Sequence, residues 1–112
     1  MSDVMITTDP NVLTMIHVYY TDADGQQAVY DGLRQGLEKY GRRMAGHLSS
    51  TIHKSLDGLR VTSYSQWDAV ASKALFDNPD ALQESLDWFA PLTAKATSQD
   101  AHVYGELSIY RP

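Results

Sequence analysis

Ser63, Ser65 and Trp67 stand at alternate positions of the run RVTSYSQW, with Val61 two residues ahead of them. In a β-strand successive side chains point to opposite faces, so these four share one face while Arg60, Thr62, Tyr64 and Gln66 share the other. Two small hydroxyls beside an indole leave a gap that a flat aromatic ligand can occupy, with O–H and N–H groups to orient it. The same residues also read as packing, with Trp67 anchoring a core and the hydroxyls bonded to nearby backbone. His17 sits among Met15, Ile16 and Val18 of another apolar run. A neutral imidazole is the side chain best poised to move a proton near pH 7, although a buried histidine satisfied by its neighbours is the simpler reading of the position. His17, His53 and His102 fall on three separate runs without metal-ligand spacing, and no metal site is expected.

These residues need strands and helices to position them. The β-branched and aromatic density from Val12 to Tyr20 predicts a first strand. Asp22, Asp24 and Gly25 break it, and Val29, Leu33, Leu37, Tyr40 and Met44 then recur at the spacing of one helical face. That period predicts an amphipathic helix from Gln26 to Met44, in which Gly32 and Gly36 permit close packing on the sheet. Strands near 47–55 and 59–67 meet at Asp57-Gly58, where a tight primed turn with positive φ at both residues is expected. Asp68 can cap a short helix carrying Val70, Ala74 and Leu75. Asn78-Pro79 stops it and starts a second one, with a buried stripe of Leu82, Leu86 and Phe89. A loop from Pro91 to Asp100 and a last strand from Ala101 to Tyr110 complete the order β-α-β-β-α-β. That is the ferredoxin-like α+β arrangement, a four-stranded antiparallel sheet with helices on one face. The other face keeps Tyr and Val side chains, which argues for a partner.

At 112 residues the chain is one domain, residues 11–112, preceded by a polar arm over residues 1–10 that is expected to be flexible. The absence of cysteine removes disulfides, thiolate nucleophiles and Cys-ligated metal, and fits a reducing compartment. No apolar run reaches the length of a membrane span and the N-terminus has no signal-like pattern, so a soluble cytoplasmic protein with no membrane partner is expected. A net charge of −5 with scattered basic residues provides no track for phosphate backbones, which excludes nucleic acid as a partner. No G-x-G-x-x-G, P-loop or G-x-S-x-G pattern is present, so nucleotide-fold and triad chemistry lack a foothold.

Gly46, Leu48, Ser49, Thr51, His53, Ser55, Asp57, Gly58, Val61, Tyr64, Gln66 and Trp67 make up the frame G-x-L-S-x-T-x-H-x-S-x-D-G-x-x-V-x-x-Y-x-Q-W. This frame resembles the central hairpin of antibiotic-biosynthesis monooxygenase (ABM) domains, nearest to the actinorhodin-type anthrone oxidases of polyketide pathways. The resemblance implies a homodimeric α+β barrel in which the two bare sheet faces meet, with His53 on the barrel-interior or dimer side. It also implies oxidation of a phenolic, anthrone-like aromatic by O₂ without a cofactor: the substrate loses a proton, its carbanion reduces O₂, and the peroxide collapses to a quinone with loss of water. The catalytic residues by this carry-over are Trp67, His17 and Ser63, the indole N–H donating to a developing oxyanion with Ser63 or His17 as second donor. Ser65, Val61, Phe76 and Leu86 would contact the substrate. Ser63 stands where that branch commonly has Asn, and residues 80–92 contain none of the Arg expected there. Residues 68–92 also lack the His that haem-degrading members need. Two further readings are a non-catalytic dimeric binding or pathway-accessory module, and a cyclase or isomerase acting on a related ligand. A pocket open beside Trp67, Ser63 and His17 favours binding or catalysis, whereas its filling by Phe76, Trp88 or Phe89 favours a purely structural domain.

Overall fold

Seven elements follow one another in the computed structural model, which describes residues 3–112: β1 (Val12–Tyr20), α1 (Gln26–Tyr40), β2 (His47–Lys54), β3 (Arg60–Asp68), α2 (Lys73–Phe76), α3 (Pro79–Phe89) and β4 (Ser98–Tyr104). The strands form one antiparallel sheet in the order β2-β3-β1-β4, the expected ferredoxin-like α+β fold. The first two residues of the N-terminal arm lie outside the described residues.

The turn and cap residues account for most boundaries. Asn78 accepts hydrogen bonds from the backbone N–H groups of Asp80 (3.1 Å) and Ala81 (3.2 Å), with Pro79 at the first helical position of α3. Asp68 accepts from Val70 N (3.0 Å) and Ala71 N (2.7 Å) and so closes the turn leading to α2. At the hairpin the expected primed turn is replaced by a longer connection. Of Asp57 and Gly58 only Gly58 has positive φ, +82°, and its N–H donates to the Ser55 carbonyl (3.1 Å). Asp57 instead uses its carboxylate, accepting from Ser55 Oγ (2.6 Å) and Leu59 N (3.0 Å). These bonds, led by the Ser55 hydroxyl, hold the Asp57 carboxyl below the ordinary carboxylate range.

Three other boundaries differ from the sequence expectation. α1 ends at Tyr40, because its last turn tightens into a 3₁₀ segment at Gly41–Arg43 and Met44 leaves it extended (φ −90°, ψ 119°). Ala90–Thr93 forms a second 3₁₀ turn where a loop was expected. β4 begins and ends earlier than Ala101–Tyr110, since its extent is set by pairing with β1 from Tyr20↔Ser98 to Thr14↔Tyr104. Its polar start, Ser98-Gln99-Asp100, is compatible with an exposed edge strand.

Tyr19, Val29, Leu33 and Val61 form the buried core between sheet and α1, with Tyr30, Ile52, Phe89 and Ala96 packed around it. Gly32 and Gly36 do not pack on the sheet. They face the end of α3 and the Ala90–Thr93 turn: a Cβ on Gly32 would stand 1.8 Å from the Leu92 carbonyl oxygen, and one on Gly36 would stand 2.4 Å from the Phe89 ring. The absence of side chains here lets α1 approach the α3 end closely enough to fix the position of Phe89. On the far side of the sheet, Ile16, Val18, Thr62 and Tyr64 are partly buried. One end of that face is not bare, because Gln66 Nε2 donates to the Met5 carbonyl (2.8 Å) and Thr14 and Gln66 are buried.

Candidate functional site

Between the sheet and the helices lies a cavity of about 280 Å³. Its floor consists of Met15, His17 and Tyr19 of β1, Ser50 of β2, Ser63, Ser65 and Trp67 of β3, and Ala101 and Val103 of β4. Leu33 and Leu37 of α1, Met44, Leu75 and Phe76 of α2, and Leu82, Ser85, Leu86 and Phe89 of α3 form its walls and roof. Strand alternation explains the floor, since odd-numbered residues of β1 and β3 face the helices. Leu86 and Val103 line the cavity yet are 46% and 47% exposed, which places its mouth at the edge between α3 and β4. Phe76 and Phe89 stand as walls and do not fill the space. Trp88 is absent from the lining and instead stacks on Tyr40 (centroids 5.1 Å apart) beneath the Arg43 guanidinium.

The sequence-derived site residues take different places. Trp67 lines the cavity but is 2% exposed, and its indole Nε1–H donates to Ser65 Oγ (2.8 Å). Ser65 in turn donates to the Met15 carbonyl (3.3 Å). Ser65 thus takes the N–H that was expected to reach a substrate oxyanion. The Trp67 ring contributes an apolar wall, in edge contact with Phe76 at 5.0 Å and tilted against His47 at 4.9 Å. Ser63 lines the cavity between its strand partners His17 and Ile52. Phe76 and Leu86 line it as well. Val61 does not: fully buried, it packs in the core beside Tyr19 and Val29, too far along β3 to reach the space. His53 is exposed and pairs with Thr62 on the far face.

His17 is held by protein groups at both ring nitrogens. Nε2 lies 2.8 Å from Gln99 Oε1, which accepts the ring proton, and Nδ1 lies 3.2 Å from the Tyr19 hydroxyl, which donates to it. The two rings stack with centroids 4.0 Å apart. Burial lowers the His17 pKa against the opposing effects of Gln99 and Asp100, so the ring is neutral near pH 7. Burial also raises the Tyr19 hydroxyl far above its usual value and keeps it a donor.

Sequence reasoning missed a second histidine. His47 Nδ1 lies 3.1 Å from the Gly41 carbonyl and Nε2 lies 2.7 Å from Ser50 Oγ, and Ser50 lines the cavity. Burial lowers the His47 pKa, opposed by its backbone contacts. Among the described residues, no three His, Asp or Glu side chains are grouped to hold a metal ion. No described helix is long and apolar enough to cross a membrane.

No family model matches the chain. A curated protein, the tetracenomycin-F1 monooxygenase of Streptomyces glaucescens, is 31% identical over 83 residues, covering 74% of this chain and 74% of that protein. This chain belongs to the antibiotic-biosynthesis monooxygenase family. Solved structures share the fold of this ABM domain. The monooxygenase from the gene ActVA-Orf6 of Streptomyces coelicolor, in complex with nanaomycin D, aligns with a TM-score of 0.65 at 23% identity, over 93% of this chain and 96% of that one. SnoaB, a cofactor-independent oxygenase from Streptomyces nogalater, aligns at 0.61 and 13% identity, over 88% of this chain and 96% of that one. In this ABM domain the hairpin thus supplies part of the floor of a cavity covered by the helices, through Ser50, Ser63, Ser65 and Trp67.

Proposed function

We propose that this ABM domain is a cofactor-independent monooxygenase that oxidises a phenolic, anthrone-like polycyclic aromatic to a quinone with O₂. The observation that carries the reading is the cavity itself: an apolar slot of about 280 Å³ walled by Trp67, Phe76 and Phe89, with hydroxyls and the His17 imidazole at its floor. That volume suits a compact flat ligand, near the lower end of the roughly 300–1,000 Å³ usual for small-molecule sites. In the proposed reaction an anthrone methylene loses a proton and its carbanion transfers electrons to O₂. A carbon–oxygen bond then forms a hydroperoxide, which releases water to leave the carbonyl. The atoms balance with one O₂ consumed and one water formed per quinone. The protein's part is to hold the aromatic rings, favour the enolate and exclude bulk water. The similarity to the tetracenomycin-F1 monooxygenase supports the monooxygenase class.

A homodimer through the far sheet face belongs to the same proposal, with Ile16, Val18 and Tyr64 at the contact. Its support is the apolar character of that face. A second reading, a binding module without turnover, draws on the engagement of the Trp67 N–H and both His17 nitrogens within the protein.

The test is oxygen uptake by metal-free protein with dithranol, an anthrone, with quinone absorbance followed in parallel. Turnover above the spontaneous rate, unchanged by chelator or flavin, is the expected result. Saturable quenching of tryptophan fluorescence without turnover would replace it with the binding-module reading.

A further inference from the structure

His47 and Ser50 occupy unspecified positions of the hairpin frame, yet they form a directed hydrogen-bonded chain that ends in the cavity. A carbonyl can only accept, so the 3.1 Å contact with Gly41 fixes the ring proton of His47 on Nδ1. Nε2 is then the basic nitrogen, and the Ser50 hydroxyl, 2.7 Å away, donates to it. With its proton turned toward His47, Ser50 Oγ keeps its lone pairs for whatever enters the cavity it lines. Gly41 lies just past the end of the fifteen-residue helix α1. Its carbonyl belongs to the negative end of that helix, which favours a positive imidazolium in opposition to burial.

We infer that Ser50 and His47 form a proton relay that ionises the bound aromatic. The phenolic or enolic O–H of the ligand passes its proton to Ser50 Oγ as the Ser50 proton passes to His47 Nε2. The net transfer is one proton from the ligand to His47, leaving a ligand anion and a His47 imidazolium held by the Gly41 carbonyl. Ser50 is the catalytic residue that touches the ligand, and His47 acts through it. The other titratable groups lining the cavity are His17, Tyr19 and His102. His17 is engaged at both nitrogens, Tyr19 is held protonated by burial, and His102 donates to Asp100 (2.8 Å) on the exposed edge strand. His17 Nδ1 has a like link through the Tyr19 hydroxyl, but Nε2 of His47 reaches the cavity through the aliphatic hydroxyl of Ser50, which among the described residues has no other hydrogen-bond partner.

This inference rests on the proposed aromatic ligand, and ionisation can be measured apart from oxidation. Under anaerobic conditions, dithranol is titrated into wild-type protein, Ser50→Ala and His47→Gln at pH 7. Binding is read from tryptophan quenching and the anion from its red-shifted absorbance. The relay predicts an ionised ligand in the wild type and at least a tenfold smaller ionised-to-neutral ratio in both variants at saturating ligand. His47 packs against Trp67, so its replacement also perturbs the fold; Ser50→Ala removes one oxygen and decides the question alone. Equal ionisation in Ser50→Ala, loss in His17→Gln with retention in Ser50→Ala, or a bound but neutral ligand in the wild type overturns the relay. Admitting O₂ afterwards judges the oxygenase separately: a relay that ionises the ligand without oxygen uptake stands while the oxygenase reading falls. No binding of dithranol overturns both.

Discussion

The indole N–H of Trp67 donates to Ser65 Oγ across 2.8 Å, two residues apart on one face of β3 and both 2% exposed. The motif tryptophan is thereby fixed in orientation by its own strand, and its ring borders the cavity. Its hydrogen-bonding capacity serves the fold.

Ser65→Ala tests this relationship. Removing the acceptor leaves a buried indole N–H without a partner, which costs about 1–3 kcal/mol. Urea unfolding should show that loss with little change in the cavity's volume. A variant as stable as wild type would mean that the indole finds another acceptor, and the cavity-facing role of its N–H would return.

Gly32→Ala should destabilise although it removes a helix-interior glycine. Alanine gains about 1 kcal/mol of helix propensity over glycine. At this position, however, its methyl meets the Leu92 carbonyl at 1.8 Å, and backbone cannot move aside as a side-chain tip can. A net loss of roughly 1–3 kcal/mol is expected from such overpacking. Gly105→Ala, with nothing within 4 Å, is the matched control and should be neutral. Equal stability of both variants would show that α1 and the Ala90–Thr93 turn can separate at no cost.

β1 and the start of α3 were legible in the sequence because each is set locally, by β-branched density over Val12–Tyr20 and by the Asn78-Pro79 cap. β4 was less so, because its limits come from pairing with β1 and not from its own residues. Alternation grouped Ser63, Ser65 and Trp67 on one face, and the family resemblance turned that face, with His17, toward a pocket. His47 and Ser50 could not. Three residues apart on a regular strand, they would point to opposite faces. The register shift between His47 and Ser49 turns His47 to the same side as Ser50, opposite Trp67 and Ser65, while Leu48 is left 57% exposed. Bulges leave little trace in a single sequence.

Stability should depend on pH at both ends of the range. His17 and His47 have folded pKa values below the 6.5 of an unperturbed histidine, so between those values the unfolded chain binds more protons. Their contribution is complete above pH 6.5 and is lost as pH falls through the folded values. Tyr19 has the opposite sign. Its pKa is raised above 10.0, so its contribution is complete below pH 10 and declines as pH rises beyond it. Melting temperatures between pH 5 and 8 should fall on the acid side, and a His17→Gln, His47→Gln double variant should lose most of that slope. An unchanged slope in the double variant would assign the acid sensitivity to carboxylates.

Ser63→Leu should separate the cavity from the core. Ser63 lines the cavity between His17 and Ile52, and no side-chain hydrogen bond depends on its hydroxyl among the described residues. A leucine there projects into empty apolar space and gains about 0.8 kcal/mol for each buried methylene, so unfolding free energy should stay level or rise. The same carbon atoms occupy volume that an aromatic ligand needs. Dithranol affinity, read from tryptophan quenching, should therefore fall at least about tenfold, roughly 1.4 kcal/mol. Retained affinity with lowered stability would reverse the assignment: the space beside Ser63 would be close-packed in solution, and the ligand would bind elsewhere on the domain.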